Sequence, residues 1–239
     1  MTDIDGLLFD KDGTLFDFQA TWGGWAVDLV RELAQGEAAL AEGLAQRIGL
    51  DLMAGRFRRG SLAIAGTPGD IAGALLPALP GWSRGALLEH LIATSHSVEA
   101  VPAVPLMPLM TGLRQAGFVL GVATNDAESA ARAQLAGIGA LGAFDFIAGA
   151  DSGHGAKPAP GQCLAFCEAT GLAPARVAMV GDSTHDLHAG AAAGMVPVAV
   201  LTGPATEADL APHAAAVLPD IGHLPVWLGI GQPRPFSFF

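Results

Sequence analysis

The first apolar run of the chain, Leu7-Leu8-Phe9, stops abruptly at Asp10-Lys11-Asp12-Gly13-Thr14. A short apolar block bounded by turn residues predicts a buried strand. The spacing of apolar positions then lengthens. Between Phe16 and Leu33, the residues Trp22, Trp25, Ala26, Leu29, Val30 and Leu33 recur at intervals of three and four, which predicts a helix with one apolar face. A second helix is predicted over Glu37–Ile48, with Leu40, Leu44 and Ile48 on one stripe and Gly49 as its stop. The stretch 51–67 has no clear period and carries Arg56, Arg58 and Arg59 before Pro68-Gly69 closes it. Helices are predicted again over Ile71–Leu76 and Arg84–Val98, on either side of Pro77 and Pro80-Gly81. Pro102, Pro105 and Pro108 then stiffen a return segment.

Beyond that return, helix and strand alternate. Helices are predicted over Leu109–Ala116, Glu128–Leu135 (with Asp126 as candidate N-cap), Gly161–Thr170 and Asp186–Ala193. Strands are predicted over Val119–Ala123, Phe144–Ala148, Val177–Val180, Val196–Leu201 and Ala216–Leu218. Such alternation implies right-handed crossovers and a parallel sheet covered on both faces, with the helical stretch after Leu15 inserted into it.

Composition narrows the class. Of 239 residues, 51% are hydrophobic and 15% charged, enough apolar surface for one large domain, or one domain with a smaller insertion. A net charge of -11 argues against broad nucleic-acid binding, which needs basic surface, and requires that any small anionic ligand meet locally placed cations. The acidic start, Met1-Thr2-Asp3-Ile4-Asp5, lacks the basic and apolar regions of a secretory signal. The uncharged stretch Leu187–Thr206 is broken by Gly190, Gly194, Pro197, Gly203 and Pro204, and reads as helix, turn and strand rather than as a membrane span. Cys163 and Cys167 read as buried thiols, consistent with a reducing cytoplasm. The tail carries Phe236, Phe238 and Phe239, side chains suited to docking on the core or on a partner.

The candidate chemistry lies where the predicted strands end. The strand at Leu7–Phe9 ends in Asp10 and Asp12, the strand at 119–123 in Thr124 and Asn125, and the strand at 177–180 in Asp182, Ser183 and Asp186. Parallel strands bring such ends to one rim. Carboxylates there need compensation, and hard oxygen ligands suit Mg²⁺ together with phosphate. The chain has only two lysines, Lys11 and Lys157, and the second sits in the loop Gly155-Ala156-Lys157-Pro158-Ala159-Pro160, where a compact charge suits phosphate. Taken singly, each element also has a plain structural reading: a turn at Asp12-Gly13, a helix cap at Thr124-Asn125-Asp126, a solvated Lys157, a polar strand end at Asp182.

As a set, Asp10-Lys11-Asp12-Gly13-Thr14, Thr124-Asn125, Lys157-Pro158 and Gly181-Asp182-Ser183-Thr184-His185-Asp186 resemble, in order and spacing, the four motifs of the haloacid dehalogenase-like hydrolase superfamily. The segment 157–160 and the helical insertion after the first motif are most similar to its phosphoglycolate phosphatase-like branch. The resemblance implies an α/β fold: a Rossmann-like parallel sheet core with helices on both faces (1–15 and 99–239) and an inserted α-helical cap domain (16–98).

It also implies a magnesium-dependent phosphatase acting on a small phosphomonoester, 2-phosphoglycolate being one candidate, through an aspartyl-phosphate. Asp10 is then the nucleophile and Asp12 the general acid and base. Mg²⁺ is held by Asp10, the backbone carbonyl of Asp12 and Asp182. Thr124 and Asn125 bind phosphate, Lys157 stabilises the transferring group, and Asp186 and Ser183 give support. Asp12 favours phosphoryl transfer over dehalogenation, because the dehalogenases that resemble this chain lack a carboxylate at that position. Phe18 and Asp126 depart from the branch's common pattern.

A phosphosugar mutase of the beta-phosphoglucomutase type is the alternative, and a non-catalytic binding protein on the same scaffold a further one. Arg56, Arg58 and Arg59 are candidates for holding an anionic leaving group, or else form a solvated basic patch. His185 and His188 read as helix-surface histidines. The expected partner is a small phosphorylated metabolite, with neither nucleic acid nor membrane, for a cytoplasmic monomer or homodimer.

Overall fold

The computed structural model describes residues 3–230; the aromatic tail with Phe236, Phe238 and Phe239 lies outside the described residues. The chain runs β1 (Gly6–Phe9), then α1 (Phe18–Leu33), α2 (Ala38–Arg47), β2 (Leu50–Asp51), β3 (Arg56–Phe57), α3 (Leu62–Ala65), α4 (Pro68–Leu75) and α5 (Arg84–Ser95). It continues with α6 (Leu106–Gln115), β4 (Val119–Ala123), α7 (Glu128–Gly137), β5 (Phe146–Ala148), α8 (Gly161–Thr170), β6 (Val177–Gly181), α9 (Thr184–Ala192) and β7 (Val196–Val200). The short elements α10 (Glu207–Leu210), β8 (Ala216–Leu218) and α11 (Leu224–Trp227) follow.

β1 is buried at every residue because it lies inside a six-stranded parallel sheet of order β5-β4-β1-β6-β7-β8. Alternation along it divides the core. Leu7 and Phe9 face one layer, with Met110 and Leu113 of α6 and Leu135 of α7. Leu8 faces the other, with Phe166 of α8 and Ala189 of α9. Gly121 of β4 leaves room for the Phe166 ring, since a Cβ there would lie 2.6 Å from it. The result is an α/β, Rossmann-like core, and β1, β4 and β6, the three strands that end in candidate residues, are immediate neighbours.

The insertion has an apolar centre of its own, built from α1, α2, α4 and α5 around Trp22, Val30, Leu44, Leu75 and Leu87. Asp17 caps α1 through Ala20 N at 2.9 Å, and Thr67 and Asp70 form a capping box on α4. The segment without a clear period holds a two-stranded antiparallel pair, β2 with β3. Its turn forms because the Asp51 side chain accepts from Met53 N and Ala54 N at 3.2 and 3.0 Å. The chain leaves and re-enters the core side by side: Asp17 N donates to Val101 O at 2.8 Å and Ala103 N to Leu15 O at 2.9 Å. Among the described residues no helix is long and apolar enough to cross a membrane.

Several boundaries differ from the sequence reading by one to three residues, and three of the differences have a direct local cause. α6 starts three residues earlier, at Leu106, because Pro108 falls in its first turn, where a missing N–H costs no helical bond. α5 stops at Ser95, where Thr94 and Ser95 hydroxyls donate back to His90 O and Ile92 O at 2.9 and 2.8 Å. The N-cap of α7 is Ala127, not Asp126. Leu44 is fully buried in the cap cluster. Leu44→Ala is therefore expected to cost about 2–5 kcal/mol in urea denaturation, as large-to-small core changes do.

Candidate active site

Asp10 follows β1, and its backbone N–H donates to Val180 O of β6 at 2.8 Å, so the carboxylate is delivered where the two strands meet. Asp182 follows β6, and Asp186 lies in the first turn of α9. All three are buried, and each offers a carboxylate oxygen within 4.8 Å of the others. Glycines make the space: a Cβ on Gly13 or Gly203 would run into the Asp182 carboxylate, and one on Gly181 into Asp186. Gly13 also turns the chain at φ 85° so that its N–H reaches Phe16 O at 2.8 Å.

One ammonium serves this cluster. Lys157 Nζ lies 2.5 Å from Asp10 Oδ1 and 2.7 Å from Asp186 Oδ1. Burial opposes the Lys157 charge, but Asp10 and Asp186 outweigh it and raise the pKa. Burial pushes Asp10 up to about 7 against the pull of Lys157, with Asp186 and Asp12 adding to the rise. Burial, and then the charges of Asp10 and Asp186, raise Asp182 well above the usual carboxylate range. Three carboxylates against one cation leave an excess of negative charge among hard oxygen donors, which fits a magnesium ion.

A second buried lysine organises the neighbouring side. Lys11 is fully buried, with Nζ 2.8 Å from Asp12 Oδ2, 3.1 Å from Asp126 Oδ2 and 2.5 Å from Gln134 Oε1. Burial works against its charge, yet Asp12 and Asp126 together raise its pKa. This is why Asp126 does not cap α7: its carboxylate turns to Lys11, its other oxygen accepting from Ala127 N at 2.7 Å. Trp22 of α1 donates from Nε1 to Asp12 Oδ1 at 2.6 Å, and its ring lies 5.0 Å from Lys11 Nζ. The sequence reading gave Lys11, Gln134 and Trp22 no part in the site. The signal available was that one of only two lysines sits between the two motif aspartates.

Thr124 and Asn125 reach the same rim. Asn125 does not present its amide freely to a phosphate, as the sequence reading expected. Nδ2 donates to Lys157 O at 2.9 Å and to Ala65 O of the cap at 2.8 Å, while Oδ1 accepts from Lys157 N at 2.8 Å. It thus sets the Lys157 backbone and ties α3 to the core. Thr124 lines the cavity, its hydroxyl accepting from Asp126 N at 3.1 Å. Ser183 Oγ donates to Asp186 Oδ2 at 2.7 Å and its N–H reaches the same oxygen at 3.1 Å, which fixes Asp186 at the head of α9.

A cavity of about 780 Å³, open mouth included, lies between this rim and the cap. His185 lines it, against the expectation of a plain helix-surface residue, whereas His188 is exposed and pairs with His213 at 3.3 Å. Arg56, Arg58 and Arg59 are not brought to the cavity. Arg56 is exposed on β3, Arg58 lies 3.7 Å from Asp51, and Arg59 reaches across to Asp209 of the core at 2.6 Å. The short hairpin explains this: on β3, Phe57 is buried and lines the cavity, and its neighbours take the opposite side.

Acid clusters at the carboxyl rim of a parallel sheet, roofed by a helical insertion, mark the capped α/β enzymes. This chain belongs to the haloacid dehalogenase-like hydrolases, whose family model matches residues 4–194. It is similar to a phosphoglycolate phosphatase of Rhodospirillum rubrum, at 38% identity over 118 residues, which cover 49% of this chain and 48% of that one. The match thus spans about half of that relative's length. A phosphoglycolate phosphatase of Nitrosospira multiformis is 31% identical over 194 residues, 80% of each chain. The crystal structure of a predicted phosphoglycolate phosphatase from Haemophilus somnus shares the fold with a TM-score of 0.72 at 16% identity, over 95% of this chain and 99% of that one.

Two outcomes follow from the charge arrangement. Magnesium at about one hundred times its Kd should add about 2.7 kcal/mol to the unfolding free energy, read as a rise in Tm. Asp182→Ala should raise the metal-free Tm and remove most of that increment. Lys11→Met leaves Asp12 and Asp126 without their cation and should cost about 3–5 kcal/mol in urea denaturation, part of which Asp126→Asn restores.

Proposed function

We propose that the protein is a magnesium-dependent phosphatase of small phosphomonoesters. The observation that carries this reading is the Asp10 carboxylate, held through one oxygen by Lys157 at 2.5 Å, beside two further buried carboxylates at the floor of a capped cavity. The names of its relatives, phosphoglycolate phosphatases among them, support the same reaction class.

In this mechanism the free oxygen of Asp10 attacks phosphorus in line, and the bond from phosphorus to the leaving oxygen breaks. Asp12 gives the departing oxygen its proton. It then takes a proton from a water that attacks the aspartyl-phosphate, which frees inorganic phosphate and restores Asp10. Lys157 stabilises charge on the transferring group while keeping Asp10 oriented. Thr124 binds phosphoryl oxygens, and Asn125 acts by fixing the Lys157 loop. Asp10, Asp182 and the Asp12 backbone carbonyl would hold magnesium, with Asp186 in support, and the bound ion would supply charge to offset repulsion between the nucleophile and the phosphoryl group. The cap excludes water, with Trp22 resting against Asp12.

The test is inorganic phosphate release over a panel of small phosphoesters with magnesium. Asp10→Asn is expected to abolish turnover. Asp12→Asn should lower kcat by about 10²–10⁴-fold, the range for general acid–base groups. Full activity of Asp10→Asn would remove the nucleophile assignment. Isomerised sugar phosphate without phosphate release would replace the phosphatase with a mutase.

A further inference from the structure

The cavity is two-sided. Its floor is charged, but its roof is apolar: Phe18, Trp22, Trp25, Phe57, Ile64 and Ile71 come from the cap. Among the described residues no arginine lines it, and its one lysine, Lys157, is already shared between Asp10 and Asp186. The arginines of the insertion face elsewhere: Arg58 and Arg59 side chains are 58% and 65% exposed and pair with Asp51 and Asp209. With the phosphoryl group at Asp10, the leaving group must lie against this roof. A second anionic group on it would meet no arginine and no free lysine, only His185 from the core side, whereas an uncharged apolar group would gain by leaving water.

The aromatic residues add shape. Trp22 and Trp25 pack edge to face, with ring centroids 5.1 Å apart, and Phe18 and Phe57 lie 5.2 Å apart. Flat rings favour such surroundings. The Trp25 indole Nε1 is buried and has no hydrogen-bond partner among the described residues. A mostly apolar, aromatic wall is typical of pockets that take organic ligands.

We propose that the site selects phosphomonoesters of uncharged apolar alcohols, aromatic ones above all, over esters such as 2-phosphoglycolate whose alcohol carries a carboxylate. This specificity rests on the phosphomonoester reading above. It assigns the roof residues, Ile64 and Ile71 with the four aromatics, as specificity determinants. It also separates this chain's preference from the substrate named for its relatives.

The experiment compares benzyl phosphate with 2-phosphoglycolate, both unactivated primary esters, using the full chain with saturating magnesium and reading phosphate release. The expected kcat/KM is at least tenfold higher for benzyl phosphate, a difference of about 1.4 kcal/mol. An equal or higher value for 2-phosphoglycolate overturns the inference while leaving the phosphatase reading intact. Ile64→Arg, checked by circular dichroism for folding, should narrow the ratio at least tenfold; an unchanged ratio in the folded variant also overturns it. If neither ester is hydrolysed, the phosphatase reading fails and specificity is read by binding instead. Tryptophan-fluorescence titration with 2-phenylethylphosphonate and 3-phosphonopropionate should then show at least tenfold tighter binding of the former, and equal affinities reject the inference.

Discussion

The Lys157 ammonium lies between the carboxylates of Asp10 and Asp186, and the carboxyl rim of the sheet is arranged around that contact. Two acids and a lysine at this depth are tolerated only when each charge is met and oriented. The surroundings supply the orientation: Asn125 grips the Lys157 backbone from both ends of its amide, and Ser183 holds Asp186. Asp182 joins the cluster with no lysine of its own, in space that Gly13 and Gly203 leave for it. The charge excess that remains is what makes the floor receptive to a divalent cation.

Lys11 repeats the device one layer over. It is buried among Asp12, Asp126 and Gln134 and faces the Trp22 ring. The two lysines divide the motif aspartates between them, so Asp10 and Asp12 sit in separate electrostatic settings although only one residue lies between their positions. That separation suits a nucleophile and a proton carrier, which must behave differently at the same pH. The bond from Trp22 to Asp12 also couples the cap to the end of β1, as the contact from Asn125 to Ala65 couples it to the end of β4.

The cap's role follows from how it is fastened. Its apolar centre is separate from those of the sheet, and the paired segments at Leu15–Asp17 and Val101–Ala103 carry its attachment. Arg59 reaches Asp209 on the core, so one arginine of a group that suggested ligand binding serves as a fastener. What remains facing the cavity comes from α1, β3, α3, α4 and α5 and is mostly hydrophobic.

Much of this was legible along the chain. Continuous apolar blocks that end in polar residues identified the strands β1, β4 and β6, because a strand buried on both faces must be apolar throughout and only its end can carry charge. The spacing of Trp22, Leu29 and Leu33, and of Leu40 and Leu44, identified α1 and α2, since helical burial needs that recurrence. Residue type and order alone singled out Asp10, Asp12, Thr124, Asn125, Lys157 and Asp182. Tertiary structure decided how those groups are shared. Whether Asp126 caps a helix or meets Lys11, whether Asn125 faces a ligand or a backbone, and whether Arg59 points into a cavity or onto the core all depend on partners from 32 to 150 positions away. Local periodicity constrains only neighbours a few residues apart, so long-range pairing of charge becomes visible only when the sheet and the cap are assembled.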